Sequence, residues 1–213
     1  MDVRTNGIIL RTRLLTETSL IVHWLTRDVG RVATVAKGAR RPKSAFRGKL
    51  DLFYHADFSF SRSSRSELHH LREVMLRDTH SALRDDYTRL QQASYAVALI
   101  ELTTETETPV PEIFALMSSL LHELVTNAPG VRNVFAFELK LLEELGLSPH
   151  VEESKLTAGT RQIAVKLVRD NWATLRTLML TPTQAEELRQ FLHGFLLYHL
   201  GKLPRGRAEA LHI

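Results

Sequence analysis

Cationic residues are concentrated between positions 37 and 49 at a density that suits binding to phosphate groups. This segment, the basic loop, contains six Lys and Arg residues and no Asp or Glu: Lys37, Arg40, Arg41, Lys43, Arg47 and Lys49. Of the 28 Lys and Arg in the chain, 22 lie elsewhere, against 24 Asp and Glu, so without the loop the formal net charge of +4 becomes −2. Closely spaced cations neutralise the phosphates of a nucleic acid and release its counterions. The basic loop is therefore the first candidate for a binding site.

Other residues in and near the basic loop suit contact with a nucleic acid strand. Gly38 and Gly48 allow a backbone to approach closely, and Phe46 offers an aromatic face for a base. Three arginines extend the basic surface if their strand faces point the same way: Arg11, Arg13 and Arg31. Arg11 and Arg13 are two residues apart, so on a strand they share a face. The alternative is that the basic loop is merely solvated surface.

The periodicity of residues 1–80 predicts a domain of five short strands. The predicted strands are residues 7–15, 19–26, 31–37, 52–61 and 67–76. The fourth is the clearest, because apolar residues such as Phe58 and Phe60 alternate with polar ones. Five short antiparallel strands in an open sheet would expose their edges, so closure into a barrel is favoured. An oligonucleotide-binding (OB) barrel fits this number of strands.

After residue 80 the apolar spacing becomes helical. Helices are predicted near residues 87–102, 113–124, 135–145, 161–170 and 172–179. A last helix is capped by Thr181, has Pro182 in its first turn and ends before Gly201. The predicted fold class is α+β, with a five-stranded OB-fold barrel in residues 1–80 and an all-helical domain in residues 81–213.

Catalytic and metal-binding patterns are missing from the sequence. The chain has no cysteine, which excludes disulfides and thiolate zinc sites. Its histidines lack the spacing of a helical metal pair, and it has neither a Gly-x-Ser-x-Gly elbow nor a phosphate loop. We therefore expect no enzyme activity, no metal and no cofactor. No apolar run approaches the ~20 residues of a membrane helix, so we expect a soluble protein.

Several stretches of the chain resemble the bacterial RecO family of recombination mediators. Its N-terminal domain is similar to ILRTRLLTETSLIV (9–22), LTRDVGR (25–31) and VAKGARRPKS (35–44). Its central helix is similar to FELKLLEELG (137–146) with Pro149, and its closing helix to YHLG (198–201). The resemblance spans nearly the whole chain.

The resemblance implies an OB barrel, a helical domain and a non-enzymatic role in DNA repair in the bacterial cytoplasm, associated with the nucleoid. Proteins of this family bind single- and double-stranded DNA and anneal complementary strands. With RecR they help RecA load onto DNA coated by single-strand binding protein (SSB), and RecF is an indirect partner. The resemblance implies DNA contacts at Lys37, Arg40, Arg41, Lys43 and Arg47, and the charge of the basic loop adds Lys49 to the predicted contacts. The helical domain contacts the acidic tail of SSB, for which we predict a groove near Arg132, Lys140 and Leu141.

One departure from the family pattern concerns zinc. Many relatives carry four cysteines after the Leu-Gly-x-x-Pro stretch, whereas this chain continues as His150-Val151-Glu152-Glu153-Ser154. We expect zinc to be absent and helix packing to replace that module.

Two other function classes remain open. In the first, the chain is a protein-only adaptor, whose helical domain binds an acidic partner while the basic loop is incidental. In the second, it is an RNA-binding OB protein.

Overall fold

The computed structural model describes residues 2–212, which divide into two compact units. One unit runs to Ser81 and also includes Thr104–Ser118; the other comprises Ala82–Thr103 and the residues from Ser119 onward. The sequence predicted one boundary between residues 80 and 81, whereas the chain returns to the first unit after Thr103.

The first unit is a closed five-stranded barrel. Its strands are β1 (Asp2–Leu14), β2 (Leu20–Thr26), β3 (Gly30–Ala36), β4 (His55–Ser61) and β5 (Leu68–Asp78). They follow the order β1-β2-β3-β5-β4, and β4 pairs with β1 to close the barrel. Helices follow β5 in the chain. The predicted α+β class, with an OB-like barrel before the helices, is confirmed.

Alternating apolar side chains fill the barrel interior. Phe58 and Phe60 of β4 point inward, as the two-residue period predicts, and the ring of Trp24 stacks on Phe58 with 4.0 Å between centroids. The prediction for the start of β4 was wrong by three residues. Before His55 the chain makes a turn in which Phe53 is buried with a φ of 65°, and its N–H donates to the carbonyl of Ile9. A burial pattern alone does not distinguish such a turn from a strand.

Residues 104–108, which belong to the first unit, lie beside the barrel where its strand pairing is shortest. β3 and β5 are parallel and pair only over Ala33–Val35 and Leu68–His70. Next to this short ladder, Arg31 Nε donates to Thr104 Oγ1 at 2.8 Å, and the Glu107 N–H donates to the Arg31 carbonyl at 2.8 Å. The Glu107 carboxylate also lies 2.5 Å from Nε2 of the buried His69. Residues 104–108 therefore lie beside the start of β3, where Thr106 forms an isolated parallel bridge with Arg31.

The second unit is helical. Its elements, with α2 shared between the units, are α1 (Tyr87–Thr103), α2 (Pro111–Thr126), α3 (Val131–Glu144), α4 (Ala158–Arg169), α5 (Trp172–Leu175), α6 (Pro182–Leu200) and α7 (Arg207–Leu211). The predicted cap of α6 is confirmed: the Gln184 N–H donates to Thr181 Oγ1, and Gly201 ends the helix at a φ of 69°. α5 is a single turn, shorter than predicted, and α7 was not predicted because five residues carry too little periodicity. Between residues 2 and 212, no helix has both the length and the apolar character of a membrane span.

A buried charge pair ties three helices of this unit together. Arg207 of α7 donates to the two carboxylate oxygens of Glu138 in α3, at 2.7 and 3.0 Å. The hydroxyl group of Tyr95 in α1 donates a hydrogen bond to the same carboxylate. All three side chains are buried, and burial followed by the charge of Glu138 raises the pKa of Tyr95 well above its usual value. Removing one charge leaves the other desolvated without its partner.

Replacing Gly30 tests the contact between β3 and residues 104–108. An added Cβ would lie 2.0 Å from the Thr108 carbonyl oxygen, and the φ of Gly30 is +80°. Gly30→Ala is expected to lower the free energy of unfolding by more than the ~1–2 kcal/mol that a positive φ alone costs. Gly48→Ala is the matched control, because its φ is +71° but its Cβ meets nothing within 4 Å. Urea unfolding measures both variants; equal losses would contradict the contact.

Replacing Arg207 tests the buried pair. Arg207→Leu is expected to destabilise the helical unit by about 3–5 kcal/mol, because Glu138 is left charged and buried. The double variant Arg207→Leu, Glu138→Leu removes both charges and is expected to recover much of that loss. Urea unfolding followed by far-UV circular dichroism compares them; a double variant no more stable than the single one would contradict the desolvation argument.

Candidate nucleic-acid interface

The basic loop follows β3 as a series of tight turns. Backbone N–H groups donate to carbonyls three residues earlier at five points: Ala39 to Ala36, Arg41 to Gly38, Ser44 to Arg41, Arg47 to Ser44 and Lys49 to Phe46. Gly38 and Gly48 have φ values of 67° and 71°, which side chains with a Cβ rarely adopt. The backbone of the loop is therefore defined by consecutive hydrogen-bonded turns.

Apolar and polar contacts anchor this backbone to the barrel. Ala39 is buried in the barrel core, and Phe46 is half-buried against the same core. The Arg40 N–H donates to the Thr18 carbonyl at 3.0 Å, and its guanidinium donates to the Glu17 carbonyl at 3.0 Å. The basic loop is thus held to the turn between β1 and β2. Sequence reasoning missed the two acceptors, because backbone carbonyls carry no residue-type signal.

The loop presents its cations to solvent. Five of its six cationic side chains are exposed, namely Lys37, Arg40, Arg41, Lys43 and Arg47. The sixth, Lys49, is half-buried. None of the six forms an ion pair with a carboxylate of residues 2–212. Their positive charges are therefore not neutralised within the described part of the chain, and they create a strong local field for anions.

The strand register places two of the three outlying arginines beside the loop. Arg13 pairs with Ile21, which pairs with Val35, so Arg13 lies on the outer face near the end of β3 where the loop begins. Arg11 shares that face. Arg31 does not extend the surface: it lies at the other end of β3, about 20 Å from Lys37 at ~3.3 Å per residue. Its side chain bonds to Thr104.

A hollow of about 470 Å³ opens between the two arms of the basic loop. Its lining combines cationic and apolar side chains, namely Leu20, Arg40, Arg41, Phe46, Arg47 and Leu50 among others. The ring of Phe46 reaches this hollow while it also packs on the core. The hollow is large enough for a phosphate with its sugar. The arginines at its rim are positively charged and therefore attract a phosphate.

The three residues predicted to contact an acidic tail do not form an open groove. Leu141 is 1% exposed and belongs to the core of the helical unit. Lys140 Nζ donates to the carbonyls of Val168 and Asp170, at 2.5 and 2.8 Å, and thereby satisfies the end of α4. Burial lowers the pKa of Lys140. Arg132 is half-buried, and its Nε is buried without a partner among the described residues. A basic residue beside an apolar stripe gives the same sequence pattern whether it caps a helix or lines a groove.

The segment after Pro149, where the sequence departs from the family pattern, does not fit a zinc ion. It has no cysteine, and residues 2–212 contain no group of three or more His, Asp and Glu side chains arranged to hold an ion. Instead, Val151 and Leu156 are buried there, and Arg161 donates to the carbonyls of Glu152 and Leu156 at 3.1 Å. Direct packing and hydrogen bonds hold the segment.

Comparison with known proteins places both parts of the chain in one family. The family model for the N-terminal part of recombination protein O matches residues 1–80, and the model for its C-terminal part matches residues 84–157. The DNA repair protein RecO of Alkaliphilus metalliredigens is 33% identical over 152 residues, which cover 71% of this chain and 61% of that protein. The RecO of Salinibacter ruber is 32% identical over 74% of this chain and 61% of its own length.

The chain thus spans about three fifths of these two relatives. A longer match, 27% identical, joins 94% of the chain to 92% of the DNA repair protein RecO of Anaeromyxobacter sp. (strain K). With both domain models matched in order, the chain belongs to the RecO family of DNA repair and recombination proteins.

Proposed function

We propose that this chain is a recombination mediator that binds single- and double-stranded DNA through the basic loop. It anneals complementary strands and, with RecR, helps RecA load onto SSB-coated single-stranded DNA. The observation that carries the proposal is the anchored, acid-free loop with five exposed cations and no ion pairs to residues 2–212. Membership of the RecO family supports the same role.

The mechanism is electrostatic. Lys and Arg side chains neutralise phosphates and release counterions, so affinity falls steeply with salt and depends little on base sequence. The turns and core anchors fix the backbone that carries the cations, which lowers the backbone entropy lost on binding. When two strands meet the same cationic surface, their mutual repulsion falls, and base pairing proceeds faster. No covalent bond is made or broken.

Binding of the SSB tail to the helical domain stays a prediction. Lys140 and Leu141 are engaged inside the helical unit, so of the three residues predicted near the groove only Arg132 is left to contact a tail directly. RecR and SSB remain proposed direct partners, and RecA and RecF indirect ones, on the basis of the family.

Three alanine substitutions in the basic loop test DNA binding without loosening its anchors. Lys37, Arg41 and Lys43 are exposed and donate no side-chain hydrogen bond to the described residues, so the Arg40 anchor stays intact. The triple variant Lys37→Ala, Arg41→Ala, Lys43→Ala is expected to bind single-stranded DNA at least about tenfold more weakly. The slope of log affinity against log salt should flatten by up to about 2. Fluorescence anisotropy at several salt concentrations measures both.

The control carries the same change in net charge elsewhere. Arg27, Arg65 and Lys155 are exposed and form no ion pair with residues 2–212, so their triple alanine variant should bind DNA like the parent protein. Equal losses in the two variants would show that only net charge matters. Unchanged binding by the folded loop variant refutes the assignment, and a marked preference for RNA over DNA would favour the RNA-binding alternative.

A further inference from the structure

A second acid-free stretch begins within α6 and ends in the first residues of α7. Residues 188–208 contain no Asp or Glu, but they include four Lys and Arg residues. Two of these are already neutralised: Arg189 pairs with Glu186 at 2.7 Å, and Arg207 is buried against Glu138. Lys202 and Arg205 are exposed and have no carboxylate partner in the part of the chain that the structure describes. Lys202 and Arg205 follow closely in sequence on several ring-bearing side chains of α6.

Four rings line one side of α6. Phe191, Phe195 and His199 recur every four residues, and their neighbouring ring centroids are 6.3 and 4.2 Å apart. Tyr198 stands 5.0 Å from His199 at an interplanar angle of 82°. Its side chain is 85% exposed, so most of its ring surface is open to solvent. We call these four residues the aromatic ladder.

The aromatic ladder lies beside the buried stripe of α6 and not within it. The buried residues of α6 are Leu188, Leu192 and Leu196, which form a separate stripe along the helix. Phe191 and Phe195 flank this stripe and are half-buried, whereas Tyr198 and His199 lie at the exposed end. Exposed apolar surface of this kind marks an interaction site when it is clustered.

We propose that the end of the aromatic ladder, with Lys202 and Arg205, is a second binding site for single-stranded nucleic acid. Bases stack on Tyr198 and His199, while the two cations meet the flanking phosphates. The charge pattern and the rings together indicate the occupant. Free cations without nearby acids in the sequence attract a polyanion, and a single-stranded nucleic acid is a polyanion whose unpaired bases stack on aromatic rings. This site rests on the proposed function in that a second strand would be held on the same protein during annealing.

The test separates stacking from charge. The probes are fluorescein-labelled oligo(dT) and an abasic oligonucleotide of equal length, which has the phosphates without the bases. The variant Tyr198→Ser, His199→Ser is expected to bind oligo(dT) about fivefold or more weakly, with an unchanged salt slope and unchanged affinity for the abasic strand. Tyr198→Phe retains an aromatic face and should bind oligo(dT) like the parent. Lys202→Ala, Arg205→Ala should instead flatten the salt slope by about 1.

The outcomes distinguish this site from the basic loop. Parental oligo(dT) affinity in a folded Tyr198→Ser, His199→Ser variant overturns the inference, and it is the result expected if the aromatic ladder docks a protein. Equal weakening toward oligo(dT) and the abasic strand also overturns it, because stacking would then not contribute. If the loop variant binds normally while the Tyr198→Ser, His199→Ser variant loses its preference for bases, the loop assignment fails and the second site stands.

Discussion

The pairing of β3 is the constraint on which the candidate interface depends. Its last residues pair with β2 along one edge and with β5 for only three residues along the other. The basic loop leaves from the end of this strand, so any slip of β3 would displace every cation that follows. Residues 104–108 secure the other end through Arg31 and Glu107, where the close approach to Thr108 leaves room only for glycine at position 30. Residues 104–108 thereby help to fix the position of the basic loop, although they do not belong to it.

Concentrated positive charge and local order normally oppose each other, because like charges favour an extended loop. Here the opposition is resolved by placing small and apolar side chains of the same segment in the barrel core. Ala39 and Phe46 pack inward, while the cations between and around them face solvent. The backbone carbonyls of Glu17 and Thr18 hold Arg40, so one of the cations is itself part of the anchor. The same residue run therefore encodes both the attachment and the proposed DNA contact.

How much the sequence predicted depended on the range of the interaction. Local patterns were sufficient for the five strands, for six of the seven α-helices among the described residues and for the Thr181 cap. They failed where distant residues decide the outcome. Arg31 donates a hydrogen bond to Thr104, and Lys140 donates one to a carbonyl at the end of α4. The sequence had predicted that both side chains contact a binding partner. The left-handed turn at Phe53 escaped notice because a buried aromatic residue fits a strand equally well.

The two acid-free stretches differ in what they offer a nucleic acid. The basic loop is rich in cations, and its one aromatic side chain, Phe46, packs against the barrel core. The loop is therefore suited to any phosphate backbone, paired or unpaired. The end of α6 has fewer free cations and more open ring surface, so it is suited only to strands whose bases are exposed. A duplex hides the faces of its bases, and it would therefore lose the second contact as soon as two strands pair. Under the proposed function, this loss favours release of the annealed product while both of its single-stranded precursors are retained.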